Sequence, residues 1–270
     1  MSMKRLLLTL LLIYTTSLYA QSISYGRAQQ GKTVIWGIIE NENFIEIEKA
    51  PWISTKKTGK VFKTLSLKLL APVNPSKVLA IGLNYRSHSG ESGAKKPELF
   101  AKFPSSIQTS GDISIPSVAT NIHYEGELVI VIGKKLKNAT IEEARNAIFG
   151  ITIGNDISER NWQSEDLQWI RAKASDGFAP VGPYLITGVD WSDLLISTYV
   201  NGKLRQNEST AMLIHSPEEI VSWTSKYLTL EPGDVIFTGT PGRTQAIKNG
   251  DIVEVKIEEL GSLVNRFVWE

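Results

Sequence analysis

With 270 residues, 42% of them apolar and 21% charged, the chain has a globular composition and the length for one large domain, or for a large and a small one. Its 29 basic and 28 acidic residues leave a formal charge of +1, which excludes a general electrostatic pull on nucleic acid or on a membrane surface. Cysteine is absent, so disulfides, thiolate nucleophiles and zinc–thiolate sites are excluded as well.

In chain order, Lys4-Arg5 precedes an apolar run from Leu6 to Ile13 and a stretch ending Ser17-Leu18-Tyr19-Ala20. This basic, apolar, small-residue order is that of a secretory signal peptide, so residues 1–20 are read as one, cleaved after Ala20. The apolar run is too short to span a bilayer. The mature chain is then expected to be exported, periplasmic or secreted, with a formal charge of −1 and no membrane association.

Residues 26–33, GRAQQGKT, match the phosphate-loop pattern G-x-x-x-x-G-K-[ST] letter for letter. That pattern works only ahead of a helix, whose N-terminal amides hold the phosphates. The following residues, VIWGIIENENFIEI, are β-branched and alternating, with no helical period. Gln29 to Lys32 therefore read as a hairpin turn, and strands are expected at Thr33–Ile39 and Asn43–Ile47.

Residues 21–70 form the expected small β-rich unit, and APVNPSK (71–77), with two prolines, marks the boundary to a larger domain over 71–270. VLAIGLNY (78–85) reads as a buried strand, and RSHSGESGAKKP (86–97) as a long polar loop. HYEGELVIVIG (123–133) reads as one strand. Thr140 and Glu143 stand at capping-box spacing in NATIEEARNAIFG (138–150), a short helix closed by Gly150. ITIGNDIS (151–158) is a strand running into a turn. Further strands follow, with an Asn201-Gly202 hairpin and a helix near Pro217 to Tyr227. Strands outnumber helices and no βαβ alternation repeats, so the fold class is β-rich α+β and not a doubly wound sheet.

The chemistry concentrates in HYEGELVIVIG. On a strand, Glu125 and Glu127 share a face with Val129 and Val131, about 7 Å apart. Two carboxylates on an apolar face are costly unless positive charge lies between them. Two sources are open: a Lys or Arg pair from elsewhere, or a hard divalent cation with oxygen ligands. Asp156, in a turn after a β-branched strand, would add a third carboxylate and favour octahedral Mg²⁺ or Mn²⁺, although Asp in a turn often only caps its own backbone. His88 and Glu91 stand three apart, so a helical turn puts both on one face, where the Glu sets the imidazole as a general base.

Seven blocks then occur in order: KVLAIGLNYRSHSGE, PELFAKFPSSI, HYEGELVIVIGK, GITIGNDISERNWQ, AKASDGFAPVGPYLIT, VNGKLRQNEST and LEPGDVIFTGTP. Together, over roughly residues 70–270, the chain resembles the fumarylacetoacetate hydrolase family. The resemblance implies a mixed β-sandwich roll, usually a homodimer, with Mg²⁺ or Mn²⁺ held by Glu125, Glu127 and Asp156. It implies that Lys173 stabilises a developing oxyanion and that Arg160, Gln163 and Thr240 line the cavity for a small carboxylic acid. It also implies that His88 and Glu91 lie on a lid and act on water or a proton.

Family chemistry works on 2-oxo acids and their enols through an enolate beside a carboxylate. C–C hydrolysis of a 2-oxo or β-diketo acid is placed first. Isomerisation of a 2-hydroxyhepta-2,4-diene-1,7-dioate or 5-carboxymethyl-2-hydroxymuconate type of acid, or oxaloacetate decarboxylation, is the alternative. Two departures stand out: the segment after TGTP is short (GRTQAIKNGD), and a signal peptide is unusual in a mostly cytoplasmic family. Both motivate a competing class, an exported oxo-acid binding protein without catalysis.

Overall fold

Turn chemistry builds the first third of the chain hairpin by hairpin. In the computed structural model, which describes residues 21–90 and 93–270, Ile23–Gln30 pairs antiparallel with Thr33–Glu40 around Gly31-Lys32. Gly31 takes a positive φ of 60°, which costs glycine little. GRAQQGKT is thus two strands and their turn, and no helix follows it to hold a phosphate. Asn41, at φ 56°, turns the chain again into Asn43–Ile47, which pairs with Lys57–Lys63. The signal-peptide reading of residues 1–20 and the role given to Glu91 both fall outside the described residues.

These hairpins do not stand apart. Ile23–Gln30 pairs with Ala179–Thr187 and so extends a 12-stranded sheet. From that junction the order runs through Ile148–Asn155, Gly126–Ile132, Val235–Phe237 and Val78–Gly82 to the edge strand Glu98–Lys102. A second sheet of five strands orders Lys203–Ser209, Leu195–Val200, Ile252–Ile257, Gly261–Trp269 and Gly111–Ile115. Val78–Gly82 runs parallel to Val235–Phe237, and Gly111–Ile115 parallel to Gly261–Trp269, so both sheets are mixed. The fold is β-rich α+β. The hairpin at Asn201-Gly202 has both residues at positive φ, the geometry that matches strand twist.

The main core lies between the two sheets. Leu128, Ile151, Ile153 and Ile186 of the large sheet meet Ile196, Val253, Val255, Leu263 and Phe267 of the small one. On the opposite face of the large sheet Val129, Val131, Val181 and Phe237 form a second core. Towards its far end Ile130 and Ile132 pack on Ile220 and Val221 of the helix Pro217–Ser225. The strand Gly126–Ile132 is therefore buried on both faces, which explains its unbroken Val/Ile run. Each such side chain contributes about 1.5–3 kcal/mol. Among the described residues no helix is long and apolar enough to cross a membrane.

Both longer helices start on capping boxes, the first of them the one expected from the sequence. Ile141–Ala147 starts on a Thr140–Glu143 capping box, and Pro217–Ser225 on Ser216–Glu219. The first helix ends sooner than Gly150, because Ile148 already begins the next strand. A second difference matters more. The expected continuous strand over 123–133 is divided into Ile122–His123, which pairs with Ser158–Glu159, and Gly126–Ile132. The Glu125 amide donates to the Asn155 side chain at 2.8 Å, so Tyr124 and Glu125 leave the ladder, Tyr124 packing into the core and Glu125 lining a cavity.

Gly154 lies under that turn, and a methyl group there would overlap the side chains of Val129 and Phe237. Gly154→Ala is expected to lower stability by about 1–3 kcal/mol, the usual cost of overpacking. Urea denaturation followed by circular dichroism measures it, and an unchanged midpoint would contradict this packing.

Candidate active site

Strand register brings the first functional side chains together. Gly126 pairs with Asn155 and Glu127 with Gly154, so the next residues outward, Glu125 and Asp156, face each other. The Asp156 amide donates to the Glu125 carbonyl at 2.8 Å, closing the ends of the two strands. Oxygen atoms of Glu125, Glu127 and Asp156 all lie within 4.8 Å of one another, and all three residues are buried. The cluster is a three-carboxylate cage out of reach of bulk water.

Uncompensated, such a cage would cost many kcal/mol, so counter-charge must be close. Lys173, on the short helix Ile170–Ala174, puts its Nζ 2.6 Å from Glu125 Oε2 and 2.7 Å from Asp156 Oδ2. Lys102, at the end of the edge strand, donates to Asp156 Oδ1 at 2.5 Å and also to the Lys173 carbonyl. Arg160 opens the helix Arg160–Glu165, whose Trp162 amide is capped by the Glu159 side chain. Its guanidinium donates to Glu125 Oε1, to Gln163 Oε1 at 2.7 Å and to Thr244 Oγ1 at 3.1 Å. Glu125 and Asp156 are thus held by protein cations, which is one of the two sources of charge left open by the sequence.

Glu127 is the exception. One of its oxygens accepts the Gly239 amide at 2.6 Å, and none of the three cations bonds to it. Burial pushes its pKa well above the ordinary glutamate value, and the negative charges of Asp156 and Glu125 push it further. Burial also acts to raise Glu125, but Lys173 and Arg160, joined by His88 when its ring is protonated, outweigh it and hold that carboxyl well below the ordinary range. Burial likewise acts to lower Lys173, yet Asp156 and Glu125 overcome it and raise the pKa, so the ammonium stays charged. Lys102 is lowered, chiefly by burial.

The donor set suits a hard divalent cation. It consists of carboxylate oxygens at converging positions, and one carboxylate lacks the positive partner that would keep it ionised. Glu125, Glu127 and Asp156 are the residues that would hold it.

His88, on the helical turn Arg86–Ser89, completes the rim. Its Nδ1 lies 2.6 Å from the Gly242 carbonyl. A carbonyl only accepts, so the neutral ring carries its proton on Nδ1 and keeps the Nε2 lone pair free. Nε2 faces the cage, 3.5 Å from Glu125 Oε1.

One cavity is lined by His88, Glu125, Glu127, Asp156, Arg160, Gln163, Lys173 and Thr240, so the structure gathers every site residue expected from the sequence except Glu91, which is not described. Thr240 donates its hydroxyl to the Gly126 carbonyl and accepts from Gln206, which ties the strand to the cavity wall. His123 is turned to Thr244 and Asn121, and burial and Arg160 lower its pKa to about 4. His215 contacts the Ala94 carbonyl at 2.9 Å, outside the cavity.

Lys102 is the site residue that sequence reading passes over. Its signal was present: a lysine between two phenylalanines in ELFAKFP is out of place on an apolar strand unless a buried anion meets it.

Comparison with known proteins agrees with this geometry. Residues 77–268 match the family model described as Fumarylacetoacetate (FAA) hydrolase C-terminal, and residues 24–72 match one described as Rv2993c-like, N-terminal. The chain is similar to the crystal structure of 2-hydroxyhepta-2,4-diene-1,7-dioate isomerase from Mycobacterium marinum, with 39% identity and a TM-score of 0.86 over 92% of this chain and 99% of that one. It is also similar to 5-carboxymethyl-2-hydroxymuconate delta-isomerase from Mycobacterium smegmatis, at 38% identity and a TM-score of 0.87, over 92% and 100% of the two chains. Oxaloacetate tautomerase fahd2, mitochondrial, of Xenopus laevis is 40% identical over 220 residues, which is 75% of this chain and 69% of that protein.

Glu127 gives the metal-free protein a pH signature. Its folded pKa is raised, so between the unfolded glutamate value of about 4.3 and that raised value the folded state binds the extra proton. Stability contributed by Glu127 is present below pH ~4.3 and is lost as pH rises through this window. Thermal denaturation in EDTA across pH is expected to show that loss, and Glu127→Gln to remove it. Identical pH slopes for the two proteins would overturn the assignment.

Proposed function

The chain belongs to the fumarylacetoacetate hydrolase family, and on that premise we propose that it is a divalent-metal-dependent isomerase of 2-oxo dicarboxylic acids, moving a proton between the enol oxygen and a carbon of the conjugated chain. The observation that carries this reading is the His88 Nε2 lone pair aimed at a buried three-carboxylate cage that contains a charged lysine.

A cation held by Glu125, Glu127 and Asp156 would supply Lewis-acid polarisation of the substrate's 2-oxo and carboxylate oxygens. The chain's own residues do the rest. Arg160, braced by Gln163, offers a guanidinium at the cavity wall for the substrate carboxylate. Lys173, kept protonated by Glu125 and Asp156, adds positive potential where the enolate oxygen develops negative charge. His88 Nε2 takes a proton from the substrate and returns it to another atom of the same molecule, so no water is consumed and no carbon–carbon bond breaks. Phe100 and Trp169, in edge-to-face contact, wall the cavity and keep bulk water from competing for that proton.

Hydrolysis of a C–C bond, the reaction placed first from the sequence, shares the enolate but also needs a water activated beside the substrate carbonyl. Names among relatives at 38–40% identity favour isomerisation and tautomerisation over it.

The test is turnover of the mature chain from Gln21 with Mg²⁺, with Mn²⁺ and with EDTA. The substrates are enol-oxaloacetate, 2-hydroxyhepta-2,4-diene-1,7-dioate and an acylpyruvate. Metal-dependent ketonisation of the first two without cleavage is expected. Under the same conditions His88→Ala is expected to cut kcat by roughly 10²–10⁴, the usual contribution of a general acid–base. Cleavage products from the acylpyruvate would move the assignment to hydrolysis, and full turnover by Asp156→Ala would sink the metal-enolate reading.

A further inference from the structure

Ser87 and His88 are adjacent on the helical turn Arg86–Ser89, and both reach the same residue of the facing loop. His88 Nδ1 lies 2.6 Å from the Gly242 carbonyl, while the Gly242 amide donates to Ser87 Oγ at 2.9 Å. Ser87 Oγ in turn donates to the Glu208 carboxylate, on the edge strand Lys203–Ser209 of the small sheet. None of Ser87, Glu208 and Gly242 lines the cage cavity. They meet the histidine from behind.

Every link in this chain has one direction. A carboxylate only accepts, so the single hydroxyl proton of Ser87 goes to Glu208 and a lone pair is left for the Gly242 amide. A hydrogen bond to a carboxylate is stronger than one to a neutral acceptor, which fixes the hydroxyl in that orientation. Gly242 itself has little else to brace it. Its φ is +63°, and nothing stands within 4 Å of where a side chain would start. A glycine in open space has many conformations open to it, so its carbonyl keeps its aim only while the backbone beside it is held. Gln206 shares a strand face with Glu208 and donates to the Pro241 carbonyl at 2.5 Å. Ser87 holds the Gly242 amide.

We infer that Ser87 and Glu208 are positioning residues for His88: they fix the Gly242 carbonyl, and through it the tautomer that leaves Nε2 unprotonated towards the cage. The inference rests on the reading of His88 as the acid–base group of the cage, and adds two residues that line no part of its cavity. Which ring nitrogen carries the proton is set by the hydrogen bond the ring makes. Without the Ser87 hydroxyl the glycine turns, its carbonyl leaves Nδ1, and the ring divides between two tautomers. Only one of them takes a proton at Nε2.

The ring spectrum of His88 tests this apart from turnover. The chain holds three histidines, so ¹⁵N-histidine labelling gives three ring patterns, and His88→Gln assigns the one from His88. Long-range ¹H–¹⁵N correlation in Mg²⁺ at pH ~8, above the ordinary histidine pKa of about 6.5, reads the tautomer directly. The wild type is expected to carry the proton on Nδ1, and S87A and E208A to show a mixture. S87T, which keeps the hydroxyl, is expected to match the wild type. Ser87 is exposed and Glu208 partly so, so neither replacement removes core packing. With enol-oxaloacetate, S87A and E208A are each expected to lower kcat by roughly two- to tenfold, the worth of one hydrogen bond, with KM unchanged. S87A/E208A is expected to lose no more than S87A alone, because the two residues act in series.

A ring that stays wholly Nδ1-protonated in S87A, or an additive loss in the double variant, would overturn the positioning role. A tautomer that shifts with Ser87 in a protein that isomerises no enol would support that role and overturn the reaction proposed for the cage.

Discussion

A charged lysine held out of water organises the rest of this molecule. The Lys173 ammonium is buried, and it stays protonated because carboxylates just beyond the ends of two different strands meet it, Glu125 at 2.6 Å and Asp156 at 2.7 Å. Neither strand nor helix could be moved by an ångström without leaving one of these charges alone in an apolar surrounding, at several kcal/mol per ion. The same contacts polarise the site. Glu125 is held strongly acidic by Lys173 and Arg160, while Glu127, which bonds to neither, is pushed in the opposite direction. Two glutamates two residues apart thus differ in charge preference, and the difference gives a cation a reason to bind at Glu127.

The sheet supplies the precision this requires. Gly126–Ile132 and Ile148–Asn155 are neighbours near the middle of the 12-stranded sheet, buried on both sides by the small sheet, the second core and the helix Pro217–Ser225. The cage is placed at the end of their ladder, where the backbone stops pairing with itself and Glu125 and Asp156 are free to turn inward. Catalytic side chains at strand ends inherit the rigidity of the sheet while keeping access to a cavity. In the proposed reaction the proton would be carried by His88, on a four-residue helical turn at the rim.

The hairpins at the start of the chain have a different role. They continue the same sheet through the pairing of Ile23–Gln30 with Ala179–Thr187, and none of their residues reaches the cage. Their glycine–lysine turn copies a nucleotide-binding pattern in letters only. A phosphate cradle needs the free amides of a helix N-terminus, and a two-residue hairpin has already spent its amides on the opposite strand.

Local chemistry was enough to read much of this from the sequence. The capping box at Thr140, the turns at Gly31 and Asn201, and the apolar run of Gly126–Ile132 are dictated by residues close in sequence, through hydrogen bonds and φ preferences that act over a few positions. The ordered blocks also pointed to the carboxylates and to Lys173, Arg160, Gln163 and Thr240. What alternation could not supply was the break at Tyr124 and Glu125, because a strand is interrupted there by the Asn155 side chain, thirty residues away. Nor could it supply Lys102, whose burial makes sense only once Asp156 and the Lys173 carbonyl stand opposite it. Local sequence sets which elements form, since those forces are short in range. Which charges meet, and so what the site can do, was decided only when long-range register brought four distant segments to one dry point.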